Sequence, residues 1–176
     1  AFCLVRIAKN EEAVPFLNEA LRLFELLDDL EGQAVANGLL AIIQRNGGDA
    51  IASLKLSFKA LELSHKIGFR ENEGSDLYFI GVTYKQLGNF EKALDYLYQS
   101  LQIFREDQNR LFLSYPINVI GSIYFEKGDC IKALEYFDEG LAIRQESFDK
   151  LGEAGSLDNV GFAHFKLGNY AQAISY

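Results

Sequence analysis

Side chains able to do acid–base, nucleophilic or metal chemistry are few in this sequence and far apart. Two histidines, His65 and His164, and two cysteines, Cys3 and Cys130, make up the whole imidazole and thiol inventory. Most enzyme classes need several such groups converging on one point. No H-E-x-x-H, G-x-S-x-G, G-x-x-x-x-G-K-[ST] or EF-hand pattern is present, and the pair Gly47-Gly48 lacks the Lys and Ser or Thr that would make it a phosphate loop. No C-x-x-C pair supplies a metal knuckle or redox motif, and two cysteines cannot form a disulfide framework, so a reducing compartment is expected. The acidic pairs Asp28-Asp29 and Glu71-Glu73, with Asp107, read as solvated charge in connections and have no ligand-specifying spacing. Neither catalysis nor a metal or cofactor is expected.

Composition narrows the classes further. With 49% apolar residues, 23 aromatics (nine Tyr and 14 Phe) and two prolines in 176 residues, the chain can build a continuous core and is not of disordered type. Its net charge of −8 argues against a partner held by phosphates, which needs clustered Lys and Arg. No apolar run approaches the roughly 18 residues of a membrane span, and Ala1–Ile7 is too short for a signal peptide. A cytoplasmic location, with neither nucleic acid nor membrane as partner, is expected.

The elements that position these residues emerge from an internal period. Gly48, Gly88, Gly128 and Gly168 recur every forty residues, each between two amphipathic segments. In the same register stand Ala41, Gly81, Gly121 and Gly161, each preceded by Leu40, Ile80, Ile120 or Val160. Gln44, Tyr84, Tyr124 and His164 follow, then Ser53, Ala93, Ala133 and Ala173, then Leu61, Leu101 and Leu141. Leu21 and Ala13 extend two of these rows backwards, giving about four and a half units. Leu77, Ile80, Gly81 and Tyr84 lie at i, i+3, i+4 and i+7, one helical face. Gly88-Asn89, Gly128-Asp129 and Gly168-Asn169 pair a helix stop with a helix start. Ala93, Leu94, Leu97 and Leu101, repeated as Cys130, Ala133, Leu134, Phe137 and Leu141, form the stripe of a second helix. A turn this short makes the two helices antiparallel. His164, in the row of Tyr84 and Tyr124, is then a packed inter-helix side chain, and Cys130, in the row of Phe90 and Tyr170, a buried apolar one. His65 falls near a helix end, where a cation suits the dipole. Pro15 and Pro116 are expected near helix starts, with a mild kink at worst. Glu11-Glu12, Glu91-Lys92 and Lys132-Glu135 read as solubilising surface charge.

These residues carry a family resemblance: the chain resembles a tetratricopeptide-repeat array. The pattern of a bulky residue, Leu-Gly and Tyr stands here as Leu77…Ile80-Gly81…Tyr84 and Ile117…Ile120-Gly121…Tyr124. The later pair stands as Ala93…Leu97 and Ala133…Phe137, while Leu157…Val160-Gly161…His164 departs at its last position. The resemblance implies an all-α, right-handed superhelix of antiparallel helix pairs. The expected division is 1–33, 34–73, 74–113, 114–153 and 154–176, with the first and last units partial. The family unit has 34 residues and a closing proline. Six extra residues per unit are therefore expected to lengthen the second helix and the following connection, around Ile67–Asn72, Ile103–Asn109 and Ile143–Lys150. Forty-residue spacing is similar to arrays in signalling proteins, including bacterial ones. With no polar capping element in view, a fragment of a longer protein with its output in the flanks is expected.

The resemblance also implies a concave groove lined by the first helices. Its positions are Val35, Gly38, Leu39, Ile42, Arg45 and Asn46, then Ser75, Tyr78, Phe79, Val82, Lys85 and Gln86. Tyr115, Asn118, Val119, Ser122, Phe125 and Glu126 follow, and then Gly155, Asp158, Asn159, Phe162, Phe165 and Lys166. Aromatics with interspersed amides suit an extended peptide or a partner helix. A clamp for a carboxylate terminus is not expected, since Gly38, Tyr78, Asn118 and Asp158 stand where its Lys would be. The expected function is a non-catalytic scaffold binding a protein or peptide within a larger regulatory protein. The alternative is a ligand-sensing domain controlling a fused cyclase, kinase or DNA-binding domain. Apolar helix faces at uncapped ends would also let two copies pair.

Overall fold

The computed structural model describes residues 10–176, so Cys3 and the segment Ala1–Ile7 lie outside the described residues, as does the side chain of Glu11. The fold is all-α. Among the described residues the helices are α1 (Asn10–Leu26), α2 (Leu30–Asn46), α3 (Ala50–Ile67), α4 (Arg70–Gln86), α5 (Phe90–Glu106), α6 (Arg110–Glu126), α7 (Cys130–Glu146), α8 (Lys150–Lys166) and α9 (Tyr170–Ser175). The described residues divide within α5, between Tyr96 and Leu97, into two compact segments.

A helix starts every twenty residues, twice as often as the sequence period, because both members of each pair have the same length and the same turn. In each turn one residue takes a left-handed backbone: Gly48, Gly68, Gly88, Gly128 and Gly168, but also Asp28, Gln108 and Phe148, with φ of 51°, 53° and 56°. Glycine enters that region freely, whereas other residues meet their own Cβ. The next residue starts the following helix. Asp29, Asp49, Asn89, Asn109, Asp129 and Asp149 each accept the backbone N–H three residues on, at 2.9–3.4 Å. Phe69 and Asn169 make no such bond.

Several expectations change here. First helices begin at Leu30, Arg70, Arg110 and Lys150, four residues before the expected unit boundaries, and connections between units are as short as those within them. The forty-residue spacing is absorbed by helices of 17 or 18 residues and leaves the connections at two or three. Glu71 and Glu73 lie in the first turn of α4, not in a connection, where acidic groups suit the helix dipole. Pro15 and Pro116 sit inside α1 and α6, beyond the first turn, and Pro116 is buried. Cys130 is half-buried at the start of α7.

In the first segment α2 packs on α1, α3 and α4, and Ala13, Leu17, Leu40 and Ile43 form one buried cluster. In the second, α7 packs on α6 and α8 around Ala133, Phe137, Leu141, Val160 and Ala163. The row of small residues does what close helix approach requires at Gly121. A Cβ there would meet the Phe137 ring at 2.7 Å and Tyr136 Cβ at 3.1 Å.

Candidate functional site

One row of the repeat forms stacked pairs twelve residues apart. Tyr84 stacks on Tyr96, Tyr124 on Tyr136 and His164 on Tyr176, with centroids 5.6–5.7 Å apart. His164 is therefore a packing residue, and Asn169 Nδ2 lies 3.4 Å from its Nδ1. Lys92 and Lys132 lie over the Tyr84 and Tyr124 rings, at 5.2 and 4.1 Å, so these lysines brace the pairs as well as face solvent. The Tyr98 hydroxyl joins those of Tyr124 and Tyr136 at 3.4 and 3.0 Å. Lys132 and then Tyr98 hold the Tyr124 hydroxyl below the usual tyrosine range, while burial and then these neighbours hold Tyr98 well above it. His65 ends α3, exposed, with Nδ1 3.2 Å from Glu73 Oε1.

The expected groove residues fall into different surroundings. On α4, Tyr78, Val82 and Lys85 are half-buried, and the Tyr78 ring meets Phe79 edge-on at 5.0 Å. The Arg45 guanidinium lies over that Phe79 ring at 5.3 Å, and burial holds it below the usual arginine range. On α6, Tyr115 is exposed, whereas Phe125 packs against the Phe137 cluster. Ser122 donates to its own helix at Val119 O, 2.7 Å away. Asn118 differs from a free amide: it is buried, donates to Ser114 O at 2.8 Å and accepts from Ser156 Oγ at 3.2 Å. Its amide lies over Gly140, where a Cβ would come within 2.4 Å of Nδ2. On α8, Asp158, Phe162 and Phe165 line one cleft of about 360 Å³ with Leu157, Tyr170 and Ile174, while Asn159 is half-buried elsewhere on the helix.

Two residues absent from the expected set anchor these surfaces. Arg144 on α7 donates to Gly152 O and, at 3.1 Å, to Ser156 Oγ, and its guanidinium lies 5.9 Å from the Tyr115 ring. Asp76 on α4 is 7% exposed, accepts from Ser64 Oγ at 2.8 Å, and lines a cleft of about 120 Å³ between α2 and α4. Burial lifts its carboxyl to about 7, against the pull of the Ser64 hydrogen bond, and Glu73 raises it further. Neither residue recurs in its row: Arg144 shares one with Phe24, Ser64 and Phe104, and Asp76 with Ala36, Pro116 and Ser156. No group of His, Cys, Asp or Glu among the described residues is arranged to hold a metal ion. No described helix is long and apolar enough to cross a membrane.

Paired antiparallel helices on a forty-residue register define a helical-repeat protein. The tetratricopeptide repeat profile matches residues 32–106 and 114–176, and the chain belongs to the tetratricopeptide-repeat family. No curated protein matches the sequence. Among solved structures it is similar to BtubC (BKLC) from P. vanneervenii, with 21% identity and a TM-score of 0.82 over 98% of this chain and 72% of that one. A putative kinesin light chain from Podosopora anserina gives 15% identity and a TM-score of 0.72 over 98% and 85%. A signal transduction ATPase with a tetratricopeptide repeat sensor, from Pyrococcus horikoshii, gives 18% and 0.78 over 92% and 25%. Proteins of this family generally mediate protein–protein interaction and are generally non-catalytic.

Proposed function

We propose that the chain binds an extended peptide or a partner helix along the inner faces of its first helices, as a cytoplasmic interaction module of a larger regulatory protein. The observation carrying this reading is the exposure of aromatic rings on those helices. Tyr115 is 38% exposed, Phe162 65% and Phe165 56%, on α6 and α8, whose core-facing positions are already filled by Ile117, Ile120 and Val160. Partly exposed rings on a rigid helix offer large apolar area at little entropic cost, the usual hot-spot chemistry of an interface. Asn118 is not part of the contact set, since its amide is spent inside the repeat.

The test is peptide and protein capture by the wild-type chain and by a Tyr115→Ala, Phe162→Ala, Phe165→Ala variant with an unchanged circular dichroism spectrum. Each captured ligand is then titrated against both. Affinity at least tenfold weaker in the variant supports the reading; equal affinity for every captured ligand overturns it.

A further inference from the structure

One position of the repeat is built in two ways, and the difference leaves an acceptor unsatisfied. In the second segment, residue 118 of one first helix reaches residue 156 of the next, with Ser156 Oγ donating to Asn118 Oδ1, while Arg144 from the intervening second helix also donates to Ser156. Eighty residues earlier the same places are held by Gly38, Ser64 and Asp76. Ser64 donates to Asp76 Oδ2 at 2.8 Å, as Arg144 does to Ser156. Residue 38 has no side chain to complete the set. A Cβ built on Gly38 would lie 3.5 Å from Asp76 Oδ1, which takes no hydrogen bond from the described residues although Asp76 is only 7% exposed. Gly38 and Asp76 line the same small cleft, together with Val35, Leu39, Ile42 and Phe79.

A buried acceptor without a donor is costly, and the stable completion is a donor brought from outside. The cleft selects its charge. Glu73 adds negative potential at Asp76, no basic group among the described residues is bonded to it, the Arg45 guanidinium lies instead over the ring of Phe79, and the whole chain carries −8. The apolar walls suit an alkyl stem ending in a cationic head. We propose that the cleft over Gly38 is a subsite for a lysine or arginine side chain of a bound peptide, whose head donates to Asp76 Oδ1. It rests on the peptide-binding reading above and specifies the residue type that one part of the surface selects. A cation there favours the ionised carboxylate and offsets the burial that raises the Asp76 pKa.

The test uses an immobilised positional-scanning library of nine-residue peptides bearing Lys, Arg, norleucine or Glu at each position in turn. It is presented to the wild-type chain, to Asp76→Asn and to Gly38→Asn. The second variant installs the residue type found at 118, within a helix and at ordinary contact distance, so it fills the cleft and caps Asp76 without backbone strain. The expected result is a wild-type preference for Lys or Arg over norleucine at one position. Both variants lose that preference by about tenfold or more, the range of a hydrogen bond to a charged group, while still capturing peptides selected at other positions. Peptide capture without a basic preference, or with one that both variants keep, overturns the subsite and leaves the peptide-binding reading standing. Capture of no peptide by any of the three overturns both.

Discussion

Asp76→Asn is predicted to make the protein more stable above neutral pH and to remove part of the pH dependence of its stability. The carboxyl is buried with a single hydrogen-bond donor and lifted to about 7 in the folded chain, against roughly 3.9 for an unfolded aspartate. Between these values the folded chain holds a proton that the unfolded chain has released. The contribution of Asp76 is therefore fully present below about pH 4 and is lost as pH rises through 7. At about 1.4 kcal/mol per tenfold in proton affinity, the loss amounts to about 4 kcal/mol. Asparagine keeps an acceptor for Ser64 and cannot ionise. Urea unfolding followed by circular dichroism at pH 4.5 and pH 8 reads the effect. With an m-value of about 2 kcal/mol/M, the wild-type midpoint falls by about 2 M more than the variant's between the two conditions. Glu19 and Glu153 titrate in the opposite sense, each held below the usual range chiefly by a side-chain hydrogen bond, from Arg22 and Lys150 respectively. The difference between variant and wild type therefore isolates Asp76. If the variant is destabilised equally at both pH values, Asp76 is ionised and satisfied throughout, and the reasoning fails.

Three further outcomes follow from local geometry. Phe148→Gly should raise stability by about 0.5–1 kcal/mol in thermal denaturation, because Phe148 is 82% exposed and holds a left-handed φ of 56° that costs a side-chain-bearing residue about 1–2 kcal/mol, partly offset by glycine's unfolded-state freedom. Gly121→Ala should cost about 1–3 kcal/mol in urea unfolding, since its methyl meets the Phe137 ring at 2.7–2.8 Å in a core with little room to yield. Lys132→Gln should move the Tyr124 titration upward, read by ultraviolet difference absorbance, because the lysine is the first cause of the lowered value; an unmoved titration would show that the lysine does not set it.

What the sequence disclosed and what it hid follow from recurrence. Gly48, Gly88, Gly128 and Gly168 announce the turns because a left-handed residue without a Cβ is a residue-type signal, and the aliphatic–small–aromatic rows announce helix faces because packing repeats with the fold. Asp28, Gln108 and Phe148 take the same conformation with no such signal, so the turns between units looked longer than they are. Asp76 was hidden for the opposite reason: its row holds Ala36, Pro116 and Ser156, and its surroundings are set by Ser64 on a neighbouring helix and by the space left open at Gly38. Asn118 looked available because an amide on a first helix is polar in sequence, whereas it is bonded to Ser114 O one turn back on its own helix and to Ser156, a partner that appears only once two first helices are side by side.

The twenty-residue spacing of left-handed turns has a consequence for how such a chain can be rearranged. Since a turn inside a unit and a turn joining two units share the same backbone kink, the backbone of the joints does not mark where a copy begins. By backbone geometry a forty-residue module has equivalent boundaries at either kind of turn. What the choice of boundary changes is which side chains end up opposite one another, such as whether an asparagine or a glycine faces the next helix.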